Sequence, residues 1–201
     1  MKKIITVLII LVIVSAVGYF TATSKIAAFV NWRPIWKSDW EENVRASEQY
    51  FQAQSVTSES SKIDFSSPEG EKKQAEIKKG ILESMIEDEV VKNLAKDLGV
   101  GNFNGKVEER ISRAIANSGA DSGSKDNFYK GIKLLYGWEF EEFKDRVLNP
   151  QARREILEEE FLKDGKNLED MIKEKKKSAR IYVFLDSYEW DKEELRIVSG
   201  L

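Results

Sequence analysis

The chain has 201 residues, a net charge of −3, three prolines, and neither cysteine nor histidine; at about 100–200 residues per domain that is one domain plus an appendage. The two zeros exclude disulfides, Cys/His zinc sites, haem or iron–sulfur ligation through those residues, and any Ser-His-Asp or Cys-His nucleophile pair. With 33% charged and 41% hydrophobic residues the composition is that of a globular, helix-friendly chain, and its slightly acidic balance argues against a nucleic-acid partner.

After Met1-Lys2-Lys3 come 21 uncharged residues, Ile4 to Ser24. As a helix they reach roughly 31 Å, enough to cross a hydrocarbon core of about 30 Å. Residues 1–24 therefore read as a signal anchor, with Ile4, Leu8, Leu11, Val14 and Phe20 among its apolar residues and Tyr19-Phe20 at the level of an interfacial aromatic belt. A signal peptide cleaved after Ala16 or Gly18 is the alternative, and would leave a secreted or periplasmic protein. The very short basic N-terminal tail places the remainder on the extracytoplasmic side of the cell membrane.

Ile26–Val30 is a short apolar run ended by Asn31 and Pro34, and reads as a strand. Ser38-Asp39-Trp40-Glu41 is a capping box opening a helix with Trp40, Val44, Ser47 and Phe51 on one stripe. Residues 53–67 are serine-rich and read as a flexible loop. Ser67-Pro68 then caps a long helix whose buried face is Ile81, Leu82, Met85, Ile86, Val90, Leu94 and Leu98, with Gly99 just past its end. Two shorter helices follow, one with Val107, Ile111, Ala114 and Ile115 inward and ending at Asn117-Ser118-Gly119. The other is capped by Ser124, carries Phe128, Ile132 and Leu135, and stops at Gly137. Phe140, Phe143 and Val147 share a face before Pro150 restarts or kinks a helix through Ile156, Leu157 and Phe161. Lys166 to Lys177 forms a last helix with Leu168, Met171 and Ile172 inward, followed by the clearest strand, Arg180–Leu185, and a polar tail, 187–201. An isolated short strand is poorly stable, so Ile26–Val30 is expected to pair with Ile181–Leu185, parallel or antiparallel. The expected fold is mostly α: a transmembrane helix, then a helical domain over 25–186 closed by a two-stranded sheet from its two ends.

Four pieces of this pattern resemble the chaperone core of the SurA/PrsA/PpiD group of extracytoplasmic foldases. Ile26-Ala27-Ala28-Phe29-Val30-Asn31-Trp32-Arg33-Pro34-Ile35 looks like the opening strand and turn of the group, with Trp32 where it usually has glycine. Ile81 through Val100 is similar to its "L-I-x-x-x-L-L-x-x-x-A-x-x-x-G-I" helix. Val107 to Ile115, Tyr136-Gly137-Trp138, Phe143 and the Arg153–Leu157 helix follow in the same order, and Leu168 to Leu185 resembles the closing helix and strand. The resemblance implies a SurA N-terminal-like chaperone. Members often carry a parvulin-type prolyl isomerase domain before the closing helix, but only Leu162 to Asn167 lies at that place here, and the histidines characteristic of that active site are absent. The expectation is a core without enzyme activity, cofactor or metal.

Other clusters have plainer readings. Gly99 to Gly105 lacks the spacing of a phosphate loop and reads as an interhelical loop. Glu158-Glu159-Glu160 and Glu139/Glu141/Glu142 read as solvated helix faces rather than cation sites. The lysines between Lys173 and Lys177 complement a helix C-terminus, with lipid headgroups as the alternative contact. Among the five tryptophans Trp40 reads as core, whereas Trp32, Trp36 and Trp138 are the candidates for a polypeptide-binding surface. The function expected is that of a membrane-anchored, ATP-independent holdase for unfolded or nascent exported polypeptides, with no nucleic acid or nucleotide partner. An envelope adaptor holding one folded partner is the alternative.

Overall fold

Strand propensity at one end of the chain and helix periodicity in the middle assemble into a mostly helical body closed by small antiparallel sheets. The computed structural model describes residues 25–57, 63–99, 103–117 and 125–200. The expected anchor over 1–24, residues 58–62 of the serine-rich loop, Ser118-Gly119 and the Ser124 cap lie outside these. Among the described residues no helix is long and apolar enough to cross a membrane. In chain order the elements are β1 (Ile26–Val30), β2 (Arg33–Trp36), α1 (Lys37–Thr57), α2 (Pro68–Asp97), α3 (Phe103–Asn117), α4 (Lys125–Tyr136) and α5 (Phe140–Phe143). A π-helical turn (Lys144–Leu148) leads into α6 (Asn149–Lys163), followed by α7 (Leu168–Ser178), β3 (Ile181–Val183), β4 (Tyr188–Asp191) and β5 (Arg196–Ser199).

The two ends of the chain do pair. β3 runs antiparallel to β1, with Val30 opposite Ile181 and Ala28 opposite Val183, and the ladder extends to the Phe184 amide donating to the Ala27 carbonyl at 2.9 Å. The sheet is larger than expected, because Asn31 does not end the strand but turns it. Asn31 and Trp32 have φ of 49° and 67° and form a two-residue hairpin loop that folds β2 back on β1, giving the order β2-β1-β3. Two positive φ values suit an asparagine, whose Oδ1 also accepts from the Arg180 amide at 3.0 Å, but not a tryptophan. Trp32→Gly is therefore expected to raise stability by about 0.5–1 kcal/mol in a thermal or urea melt, since Trp32 is largely exposed and only strain is relieved.

α2 is the central element. Leu82, Ile86, Val90 and Leu94 are buried as the spacing predicts, joined by Ile77, Val91 and Ala95, whereas Leu98 is exposed. Ser67 caps it as expected, its Oγ accepting from the Gly70 amide at 3.0 Å, and Gly99 adopts φ 59° just past its end. A Cβ on Gly70 would sit 1.8 Å from the Asp64 carbonyl oxygen, so the loop packs on the helix through a bare glycine. Against α2 pack the core face of the first sheet, Trp40 and Val44 of α1, Leu157 and Phe161 of α6, and Leu168 and Ile172 of α7. A second cluster joins Val107 and Ile111 of α3 to Ala152 and Ile156 of α6, while Ala114 points to solvent instead of inward.

Three further expectations are corrected. α1 begins at Lys37, so Ser38 lies inside its first turn rather than capping it, and the helix continues to Thr57, into the segment read as loop. The restart expected at Pro150 is present, since α6 opens at Asn149 with the proline in its first turn. A π-helical turn precedes it, in which the Asn149 amide reaches back to the Lys144 carbonyl, and this wider turn makes room for a proline near the start of α6. The segment 187–200, read as part of a polar tail, is a hairpin with β4 paired antiparallel with β5. Ile197 is fully buried, Tyr188 and Trp190 pack against the core, and the Ile197 amide donates to Glu83 Oε1 of α2 at 2.7 Å. Alternation of one or two apolar residues with charge looked like a tail because each strand is only four residues long.

Ion pairs tie the helices together. Glu87 of α2 accepts from Arg154 of α6 and Lys176 of α7, and Arg154 also reaches Glu169 at 2.6 Å. Burial alone would raise the Glu87 carboxyl, but the hydrogen bonds and charges of Lys176 and Arg154 outweigh it and hold the group below its ordinary value. A depressed folded value contributes stability above about pH 4.3 that is lost as pH falls through the folded value. Glu87→Gln should accordingly be less stable than wild type at pH 7, by about 1–2 kcal/mol for a partly buried pair. The gap between the two proteins in urea melts should begin to narrow below about pH 4.3 and close as pH falls through the depressed folded value.

Candidate functional site

The hairpin turn at Asn31-Trp32 sends β2 along the flank of the body, and the π turn swings Lys144–Leu148 towards the start of α1. Between them lies an open cleft of about 450 Å³. Its floor is apolar: Ile35 of β2, Ile81 and Met85 of α2, Val147 of the π turn and Pro150. Ile81 and Met85 belong to the predicted apolar stripe of α2 but are only half-buried, because they sit at the edge of that stripe where no helix covers it. Trp36, 46% exposed, forms one wall together with Pro34. The opposite wall is aromatic, with Tyr136 and Trp138 stacked at 5.7 Å and Tyr50 stacked on the other face of the arrangement, 5.2 Å from Tyr136.

Arg146 holds this wall in place. Its guanidinium donates to Glu42 Oε2 at 2.6 Å and Asn43 Oδ1 at 3.0 Å, approaches Asp39 at 3.5 Å, and lies 5.7 Å from the Trp138 ring. It thereby fastens the π turn to the first turns of α1. Gln49, further along α1, ties α4 to the same helix, its Nε2 donating to the Leu134 carbonyl at 2.8 Å near the C-terminus of α4. Gly137 has φ 75°, and a Cβ there would come within 2.7 Å of Gln49 Oε1, so this junction requires glycine.

The rim is charged, with Asp39, Asp88, Glu89, Glu142 and Asp145 facing Lys92 and Arg146. Asp88 is engaged by Arg153 at 2.7 Å and Lys92 at 2.8 Å, and the Glu142 carboxylate accepts from the Glu139 amide at 2.9 Å. Burial, and then neighbouring Tyr50, pushes the Tyr136 phenol above its ordinary value, so it stays neutral at physiological pH. The groups of the cleft thus hold one another in place. The arrangement presents apolar and aromatic surface with a polar rim.

The three tryptophans singled out from sequence part company here. Trp36 lines the cleft and is exposed there. Trp138 also lines it but is only 7% exposed, so it is a packed wall and not the free anchor that the sequence suggested. Trp32 sits at the hairpin turn, 69% exposed and away from the cleft lining. Sequence reasoning missed Arg146 and Tyr136. A Tyr-Gly-Trp run followed by an arginine nine residues after Gly137 carries no periodic signal. The acidic runs read as solvated are in part ion-paired: Arg110 binds Glu159 at 2.7 Å, Lys106 binds Glu160 at 2.9 Å, and Glu139 pairs with Lys133.

The sequence matches the family described as SurA-like N-terminal domain over residues 1–157. The chain belongs to that family. No curated protein and no solved structure matches it. The SurA-like domain is not in itself catalytic, which agrees with a cleft built from interlocked side chains. The matched stretch ends within α6, and the structure shows what lies beyond. Beyond it, α6 and α7 are joined by residues 164–167, a tight turn with Gly165 at φ 67°. α7 and β3 then return to β1, so the SurA-like core closes on itself.

Proposed function

We propose that this protein is an ATP-independent holdase that binds unfolded or partly folded exported polypeptides, without prolyl isomerase activity, on the extracytoplasmic side of the membrane to which its N-terminal segment anchors it. The family supports a folding-associated role, and the anchor reading rests on the 21 uncharged residues from Ile4 to Ser24. The observation that carries the holdase reading is the cleft: an apolar floor with Trp36 beside it, open to solvent and wide enough for side chains of an extended segment. A rigid aromatic wall costs little side-chain entropy on binding and accepts many sequences.

The protein should slow the aggregation of an unrelated unfolded protein at near-stoichiometric amounts, read by light scattering. Trp36→Ala should weaken client binding about three- to thirtyfold, the cost of one aromatic contact of about 0.7–2 kcal/mol, while leaving the melting temperature nearly unchanged because the side chain is half exposed. Catalysis of X-Pro isomerisation above the slow uncatalysed rate would overturn the non-enzymatic part. Failure to bind any unfolded chain together with tight capture of one folded envelope protein would establish the adaptor reading instead.

A further inference from the structure

We propose that the outer face of the β2-β1-β3 sheet rests on the headgroup interface of the membrane, a contact that rests on the anchor reading above and adds a second attachment to it. The strand register places Phe29, Pro34 and Tyr182 side by side across the three strands, on the face opposite Ala28, Val30, Ile35 and Ile181. That second set is buried in the core; the first is not. Phe184 joins the outer set, its ring edge-on to Phe29 at 5.7 Å. Tyr182 is 50% exposed and Trp32, at the turn of the same sheet, 69%. This sheet therefore carries a patch of aromatic surface that no described element of the protein covers.

Connectivity says what covers it. The uncharged run ends at Ser24, and Lys25 leads directly into β1 with no linker. A strand of five residues is about 17 Å long, so an anchor ending at Ser24 holds the whole sheet within that distance of the bilayer surface. Aromatic side chains with one polar edge favour that depth, and cations favour the anionic headgroups beside it. Exposed Lys25, and Arg180 next to the turn, lie around the aromatic patch. The turn itself fits this role: a tryptophan occupies a left-handed position that favours glycine or asparagine, and it points its ring out of the fold rather than into it.

The absence of native cysteine makes the test direct. Full-length Trp32→Cys, Tyr182→Cys and, as control on exposed α3, Arg113→Cys are labelled with an environment-sensitive dye and reconstituted into vesicles of phosphatidylcholine and phosphatidylglycerol containing brominated acyl chains. Flotation and a thermal melt are recorded for each. Emission at positions 32 and 182 should fall at least about twofold, with that at 113 unchanged. Chains that float with the vesicles but show equal emission at all three positions overturn the sheet contact and leave the anchor standing. Chains that do not float overturn both. Quenching absent from vesicles alone, with labels 32 and 182 instead shielded on adding an unfolded client, assigns the patch to polypeptide and overturns the lipid contact.

Discussion

Removing residues 178–201 from the full chain should abolish cooperative unfolding rather than trim it. The deletion takes away β3, the backbone partner of β1, and with it the closure of the sheet. It also removes Ala179, Ile181, Leu195 and Ile197 from the buried set, and the Ile197 amide that donates to Glu83. Truncating one buried isoleucine costs about 2–4 kcal/mol, and a domain of this size has only about 5–15 kcal/mol in total. Urea melts followed by far-UV circular dichroism should show a sloping, non-cooperative loss of helix. Removing only 187–201 should still lower stability by about 3 kcal/mol or more, through Ile197 alone. A truncated chain with the wild-type midpoint would mean that neither β3 nor the hairpin belongs to the core.

Trp138→Ala is expected to be the most damaging single change at the cleft, at about 3–5 kcal/mol, because the ring is buried between Tyr136 and the Arg146 guanidinium and its loss leaves a cavity in a wall that Arg146 holds together. Client binding should fall in parallel with stability, and at a temperature where the variant remains folded it should be largely retained. Trp36→Ala should do the reverse, losing binding with stability kept. This pair of variants separates a residue that builds the site from one that touches the client, a distinction that the sequence could not make since the burial of each ring is set by elements far away in the chain.

How much could be read in advance follows from the range of each interaction. The α2 stripe, the Ser67 cap and the glycines at 99 and 137 are local signals within one or two helical turns, and they stand as expected except that Leu98 is exposed and Ile81 and Met85 are only half-buried. The pairing of Ile26–Val30 with the strand from Ile181 was legible because a short isolated strand needs a partner. The β2 strand was hidden by Pro34, which suits an edge strand but reads as a terminator, and the C-terminal hairpin by its four-residue strands. The cleft itself depends on where a π turn and a hairpin meet in space, through contacts such as Arg146 to Glu42 that span more than a hundred residues. No local pattern encodes that.

Hydrogen exchange of the full-length protein, with and without an unfolded client in excess, tests the central claim most directly. Exchange should slow only in β2, the first turns of α1, the middle of α2 around Ile81–Met85 and the π turn, with α3 unchanged. A client that suppresses exchange elsewhere while leaving those segments as they are, or a client that binds with no protection anywhere on the cleft, would contradict that claim.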